Sequence, residues 1–244
     1  MAAVIGVSIL MPVYNGIEFM AEAVQSVMSQ VGAPDWELLV GINGHPPSSD
    51  VYVRAQALAQ LPNIKVFDFP AIKGGKVATL IKLRDFSQYP FIAFLDVDDV
   101  WLPKKLAMQL HALVNGKYDV VGSQCVYFGY NRHLNGKSPV LPVGNISLSD
   151  FVKKNPLINS SVVMRKELAT WSLQHPLIED YELWLRLRYG LPGKRQRRIP
   201  GTRFFNFSQV LVKHRLHPNS YFNSRNKVPA EQLTKQYYAY RSIL

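Results

Sequence analysis

Three carboxylates close an apolar run at "FLDVDDVW" (Phe94 to Trp101): Asp96, Asp98 and Asp99. Paired carboxylates suit Mg²⁺ or Mn²⁺, hard cations that keep several waters and share the rest of their shell with substrate phosphates. On an extended loop, D-x-D spacing lets one side chain face a ribose while the other faces a metal. An EF-hand does not fit, because the glycine it needs after the third acidic position is missing. The plainer alternative is that Asp98 or Asp99 caps the helix expected at "LPKKLAMQLHALV". D-x-D by itself does not decide between them.

Two later stretches carry further reactive groups. "IEDYELWLRL" (Ile178 to Leu187) puts Glu179 and Asp180 at the start of an expected amphipathic helix. A carboxylate there can take a proton from an attacking hydroxyl, or it can simply complement the helix dipole. "VKHRLHPNS" (Val212 to Ser220) supplies His217 after a late strand, with His214 inside the strand-like part as a competitor.

These groups need a scaffold. Strand-like segments alternate with helix-like ones through the first half. "VIGVSIL", "WELLVGI", "NIKVFDF" and "PFIAFL" read as strands. "IEFMAEAVQSVMSQV" reads as a helix with Met20, Ala23, Val24, Val27, Met28 and Val31 at helical spacing. "SSDVYVRAQALAQL" follows with Ser48 or Ser49 as cap, "GKVATLIKLRDF" after a Gly-Gly turn, and "LPKKLAMQLHALV" with Pro103 in its first turn. This order predicts an α/β fold with a doubly wound, mostly parallel sheet. Ligands of such sheets bind beyond the carboxyl ends of the strands, where Asp96, Asp98 and Asp99 fall. In the second half "YDVVGSQCVYFGY", "INSSVVMRK" and "QVLVKHRLH" read as strands. "EDYELWLRLRYG" reads as a helix closed by Gly190, and "PAEQLTKQYYAYRSIL" as a helical tail. One integrated domain is expected, with a regular half at 1–120, a less regular half at 121–220 and the tail at 221–244.

Composition narrows the setting. The net charge is +11, from 28 Lys and Arg against 17 Asp and Glu, which suits anionic partners such as phosphorylated ligands or an anionic membrane surface. The basic run "RLRYGLPGKRQRR" (Arg186 to Arg198), with Arg195, Arg197 and Arg198, marks 186–203 as a candidate for peripheral membrane contact. The alternative is a solvated loop. No RNA- or DNA-binding signature accompanies it, so nucleic acid is not the expected partner. A single cysteine, Cys125, excludes an intrachain disulfide and a cysteine zinc cluster. No apolar run approaches the ~20 residues of a membrane span, and the N-terminus lacks a signal-peptide pattern. A cytoplasmic protein, with possible contact at a membrane surface, is the expectation.

Taken in order, "ILMPVYNG" (Ile9 to Gly16), "FLDVDDVWLPKKL", "IEDYELWLRL" and "VKHRLHPNS" resemble family 2 glycosyltransferases of the Rossmann-like GT-A fold. The resemblance runs from about residue 5 to 220. It implies a metal-dependent transferase that moves a sugar from a nucleotide-diphosphate sugar to an acceptor hydroxyl with inversion. By resemblance, Pro12, Val13, Tyr14 and Asn15 pack around the nucleotide, and Asp96 and Val97 lie on its ribose side. Asp98 is then a direct ligand of Mn²⁺ or Mg²⁺, with Asp96 and His217 completing the site. Asp180 matches the catalytic base, with Glu179 beside it. Glycan, lipid-linked and protein acceptors are all compatible.

Two departures stand out. The usual acidic pair after the second strand is replaced by Ile42 and Asn43. An amide still donates and accepts hydrogen bonds, so Asn43 can read a base edge. UDP is the first expectation for the donor nucleotide, with GDP and dTDP open. The usual Ala-Arg-Asn run is replaced by "GGKVATL", where Lys73 or Lys76 can offer positive charge to the diphosphate or be a solvated loop lysine. Tyr127, Phe128 and Tyr130, in Gly122 to Asn145, can stack on a sugar or pack in the core. Competing classes are a nucleotidyltransferase on a similar scaffold, which would release pyrophosphate, and a catalytically inactive or nucleic-acid-binding relative.

Overall fold

The computed structural model describes residues 5–72, 75–173, 179–189 and 201–219. The expected helical tail, Gly190, Lys73 and the basic residues Arg195, Arg197 and Arg198 lie outside the described residues. β1 (Gly6–Val13) is buried almost throughout, as a strand covered on both faces must be. It is followed by α1 (Met20–Met28), β2 (Asp35–Asn43), α2 (Asp50–Ala57), β3 (Ile64–Phe69), α3 (Lys76–Phe86) and β4 (Phe91–Phe94). The rest comprises β5 (Val100–Trp101), α4 (Lys105–Val114), β6 (Val120–Gly129), β7 (Gly144–Asn145), α5 (Leu148–Lys153), β8 (Val163–Arg165), α6 (Glu179–Tyr189) and β9 (Phe204–Leu216).

Among the described residues one sheet of nine strands runs β3-β2-β1-β4-β8-β6-β9-β5, with β7 on β9. β3, β2, β1 and β4 are mutually parallel. β8 joins that half to the rest by antiparallel pairing with β4 and β6, and the long β6–β9 ladder is parallel again. The sheet is doubly wound. On one face Ile9, Met11, Val24, Val27, Leu106 and Leu110 form a core with α1 and α4. On the other, Leu10, Leu80, Leu83, Phe94 and Trp184 pack with α3 and α6. Alternate residues of β1 feed the two faces, which follows from the period of two along a strand.

Local chemistry explains where elements differ from the sequence reading. α1 ends at Met28, and the N–H of Val31 instead reaches Pro103 O at 2.7 Å, so Val31 is 60% exposed. Ser49 is the α2 cap, accepting from Tyr52 N at 3.1 Å. Pro103 sits in the turn before α4 rather than in its first turn, a shift within the usual latitude of helix ends. "INSSVVMRK" is only partly strand: Asn159–Ser161 form a short 3₁₀ turn, where Ser161 Oγ donates to Ile158 O at 2.7 Å and competes with the ladder. β9 begins at Phe204, earlier than Gln209, because exposed Ser208 and Gln209 interrupt the apolar alternation. β5 escaped notice because two residues carry no periodic signal.

Candidate active site

The carboxyl end of β4 runs straight into the acidic turn. Asp99 N bonds Asp96 O at 3.1 Å, so residues 96–99 form a tight turn that fans three side chains in different directions. None caps α4, whose N-cap position is Lys104, without a side-chain cap. The turn meets the end of β1 through Gly16. Gly16 holds φ 82, a conformation that favours glycine, and a Cβ there would meet Val97 Cγ1 at 3.0 Å. The "PVYNG" and "DVDD" turns are thereby locked together.

Each aspartate has its own partner. Asp96 pairs with Lys76 Nζ at 2.5 Å and accepts from Asn159 Nδ2 on both oxygens at 3.2 Å. Its backbone N–H donates to Ser160 Oγ at 3.1 Å. Asp98 Oδ2 lies 2.9 Å from His217 Nε2. Burial, then the charges of Asp99 and Asp96, push the Asp98 carboxyl up to about 6, partly offset by the His217 hydrogen bond. Asp99 is fully buried; it accepts from Arg215 N at 2.9 Å and faces His214 Nδ1 at 3.1 Å. Burial opposes charge on both members of that pair, yet each sustains the other. Asp99 is held below the usual carboxylate range and His214 is raised to about 9.

Arg215 braces this corner. Its guanidinium sits between the rings of Phe19, at 4.4 Å, and Phe128, at 4.2 Å. Its Nε donates to Asp98 O at 2.9 Å, and it pairs with Glu22. Phe128 is therefore a packing residue, and Tyr127 is buried too, whereas Tyr130 is 77% exposed. Tyr130, Arg132, His133, Asn135 and His217 line an open cavity of about 940 Å³ at the ends of β6 and β9.

α6 brings the second carboxylate pair. Asp180 Oδ2 accepts from Asn155 Nδ2 at 2.8 Å, and its Oδ1 from Tyr181 N at 2.7 Å. Burial, then repulsion from Glu179, raises the Asp180 carboxyl to about 6, against the pull of Lys76. Glu179 Oε1 lies 3.2 Å from Lys76 Nζ. Buried Trp184 and Leu187 anchor the inner face of the helix. Lys76 thus touches both the β4 end and the α6 start. Burial would lower its proton affinity, but Asp96 and Glu179 outweigh this and raise it.

The side expected to face the nucleotide is sparser. Tyr14 and Asn15 are exposed, Val13 is buried, and Pro12 is partly so. The Tyr14 ring faces His45, centroids 5.2 Å apart, and His45 Nε2 donates to Tyr14 O at 2.6 Å. Asn43 is buried; its Nδ2 donates to Gly75 O at 3.3 Å, and its Oδ1 has no partner among the described residues. Sequence reasoning missed His45, Asn155, Asn159, Ser160 and Arg215. The signal for Asn159 and Ser160 was the polar triplet "NSS" heading an apolar run.

The metal expectation divides. Among the described residues no three His, Cys, Asp or Glu side chains converge as a metal group. Asp96 is paired with Lys76 and Asn159, and Asp98 with His217; each carboxylate keeps further lone pairs for a cation. A carboxylate oxygen and an imidazole nitrogen in contact suit a divalent cation that takes its remaining ligands from water and phosphate.

The family model for glycosyl transferase family 2 matches residues 8–169, a span that stops short of Asp180 and His217. An *Escherichia coli* relative, the UDP-Glc:alpha-D-GlcNAc-diphosphoundecaprenol beta-1,3-glucosyltransferase WfgD, is 29% identical over 74% of this chain and 69% of its own length. The putative teichuronic acid biosynthesis glycosyltransferase TuaG of *Bacillus subtilis* is 26% identical over 97% of this chain and 88% of its own. Among solved structures, *S. aureus* TarS 1-349 in complex with UDP-GlcNAc superposes with a TM-score of 0.66 at 14% identity, covering 96% of this chain and 66% of that one. The complex of TarS 1-349 with UDP superposes at 0.65 and 15% identity, covering 88% and 61%. This chain spans less than two thirds of either TarS chain, and the likeness shows the shared GT-A fold. With a family model covering most of the sheet and the acidic turn at its edge, the chain belongs to glycosyl transferase family 2.

Proposed function

We propose that this protein is an inverting transferase that moves a sugar from a nucleotide-diphosphate sugar, with UDP as the nucleotide, to the hydroxyl of a glycan or lipid-linked glycan acceptor. The observation that carries the reading is Asp180. It is a partly buried carboxylate, oriented by Asn155 and its own helix, with its proton affinity raised to about 6. Such a group is unprotonated at neutral pH and close enough to it to be an effective base. In the proposed step the acceptor oxygen bonds the anomeric carbon as the bond from that carbon to the diphosphate breaks. The hydroxyl proton passes to Asp180, and a nucleoside diphosphate leaves. One base suffices for inversion, because no covalent intermediate forms.

Asp98 and His217 would hold Mn²⁺ or Mg²⁺, whose positive charge stabilises the leaving diphosphate. Asn43 would read the base, and Tyr14 with His45 would flank it. The donor half would be 1–120 and the acceptor half 121–220. Support for UDP comes from TarS, solved with UDP and UDP-GlcNAc, and from WfgD, named for UDP-Glc and a diphosphoundecaprenol acceptor. A lipid-linked acceptor would bring the protein to a membrane surface, and the basic segment 186–203 is the proposed contact. At its described ends Arg186 pairs with Glu182 and Arg203 with Asp119. No helix among the described residues is long and apolar enough to cross a membrane.

The test is a panel of UDP-, GDP- and dTDP-sugars with Mn²⁺ or Mg²⁺, read by binding calorimetry and by the nucleotide released. Release of UDP supports the reading. Release of pyrophosphate would assign a nucleotidyltransferase, and absence of any nucleotide affinity would overturn the proposal.

A further inference from the structure

We propose that Lys76 is a positioning residue that joins the two halves of the site: it holds Asp96 at the end of β4 and Glu179 at the start of α6 at once, and so fixes where the first turn of α6 places Asp180. This deepens, and rests on, the glycosyl-transfer reading. Lysine is an odd choice where it stands. It is the first residue of α3, a helix with no acid in its first turn and no side-chain cap. A cation at a helix N-terminus is electrostatically unfavourable. Exposed, it would be a solvated loop lysine; aimed at a diphosphate, it would have an uncommitted ammonium.

Neither describes the geometry. The ammonium lies 2.5 Å from Asp96 and 3.2 Å from Glu179, with the Asp180 charge also acting on it. Its side chain is only 27% exposed, and that of Glu179 only 12%. Asp96 is in turn clamped by Asn159 and Ser160. A rigid chain therefore runs from the β4 end through Lys76 to the first turn of α6. Of the two acids that open α6, Glu179 contacts the cation, whereas Asp180 accepts from Asn155 Nδ2 and Tyr181 N. The Lys76 salt bridge is thus made to one of the two adjacent acids, and it fixes the first turn of α6, from which Asp180 projects.

Three variants test this in the full chain: Lys76→Met, Lys76→Arg and Glu179→Gln, with the Lys76→Met/Glu179→Gln double. UDP binding is read by calorimetry, and turnover by UDP release from the UDP-sugar that the wild type uses. Thermal midpoints are read for all. Lys76→Met is expected to lower kcat about 10- to 100-fold, as for a displaced reacting geometry, with UDP affinity changed less than about threefold. Lys76→Arg should recover part of the loss. Because the pair acts as a unit, the midpoint loss in the double variant should fall short of the sum of the singles. Weakened UDP binding at unchanged kcat would make Lys76 a diphosphate contact and overturn the proposal, and so would strictly additive midpoints. A wild type that neither binds nor releases UDP would sink the glycosyl-transfer reading. The midpoint cycle would still decide whether Lys76 and Glu179 are coupled.

Discussion

His217 Nε2 stands 2.9 Å from Asp98 Oδ2, a contact made across 119 residues of sequence. It exists because β9 runs parallel to β6 and antiparallel to β5, which delivers the end of β9 to the acidic turn after β4. A carboxylate oxygen and an imidazole nitrogen that meet here are the pair proposed to hold the cation.

From this pair comes the metal prediction. Turnover is expected to need Mn²⁺ or Mg²⁺ and to stop in excess chelator. Asp98→Ala and His217→Ala should each cost about 10²-fold or more, the scale for losing a stabiliser of developing charge. Asp96→Asn should weaken Mn²⁺ binding in the presence of UDP less than Asp98→Ala does, because it is Asp98 that stands against His217. Calorimetric Mn²⁺ titrations of the three variants check both parts. Full turnover in chelator would remove the metal from the scheme.

Asn43 carries the base prediction. Its buried Oδ1 has no partner among the described residues, so a base N–H is expected to fill it. Asn43→Ala should weaken UDP binding by about 1–3 kcal/mol, the cost of leaving a buried polar group unpaired. Equal UDP affinity in the variant would show that Asn43 only braces Gly75, to which it donates.

The buried Asp99–His214 pair predicts how stability follows pH. His214 is raised from 6.5 to about 9 in the fold. Its contribution is therefore complete below pH 6.5 and is lost as pH rises through about 9. Asp99 is lowered, so its contribution is present above its unfolded value near 3.8 and is lost on further acidification. His214→Gln should cost about 3–5 kcal/mol near neutrality by stranding a buried charge. The gap between wild-type and variant unfolding free energies should narrow towards pH 9. A gap independent of pH between 6.5 and 9 would deny the pair its charge.

Much of this was legible before any coordinates. Continuous apolar strands alternating with amphipathic helices gave β1 to β4, because each is a buried element with its own periodic signal. Asp96, Asp98, Asp180 and His217 were found as types in ordered motifs. What stayed hidden was who faces whom. Nothing local tells that Asp96 meets Lys76 and Asn159, that Asp99 is buried with His214, or that Phe128 sandwiches Arg215 rather than a sugar. Those pairings depend on β8 and β9 inserting between β4 and β5, and long-range register has no signature in a short window. Asn155 shows the same limit: an amide after α5 becomes meaningful only once α6 packs beside it.

Asp180 gives the last prediction, which separates chemistry from binding. Asp180→Asn keeps size and most hydrogen bonding but removes basicity. Transfer is expected to fall about 10²–10⁴-fold, the usual cost of losing a general base, while UDP-sugar affinity stays nearly constant. The pH profile supplies an independent sign. A base must be unprotonated to act, and this carboxyl is raised to about 6 by burial and by Glu179. The wild-type rate should therefore hold at neutrality and decline as pH drops through about 6, rather than near 4 as for an ordinary aspartate. Lys76 draws that value down, so Lys76→Met should move the acid limb upward, towards neutrality. A Glu179→Gln variant that is dead while Asp180→Asn transfers normally would reassign the base to Glu179. Normal transfer by both would place the catalytic carboxylate elsewhere and leave the first turn of α6 a structural feature.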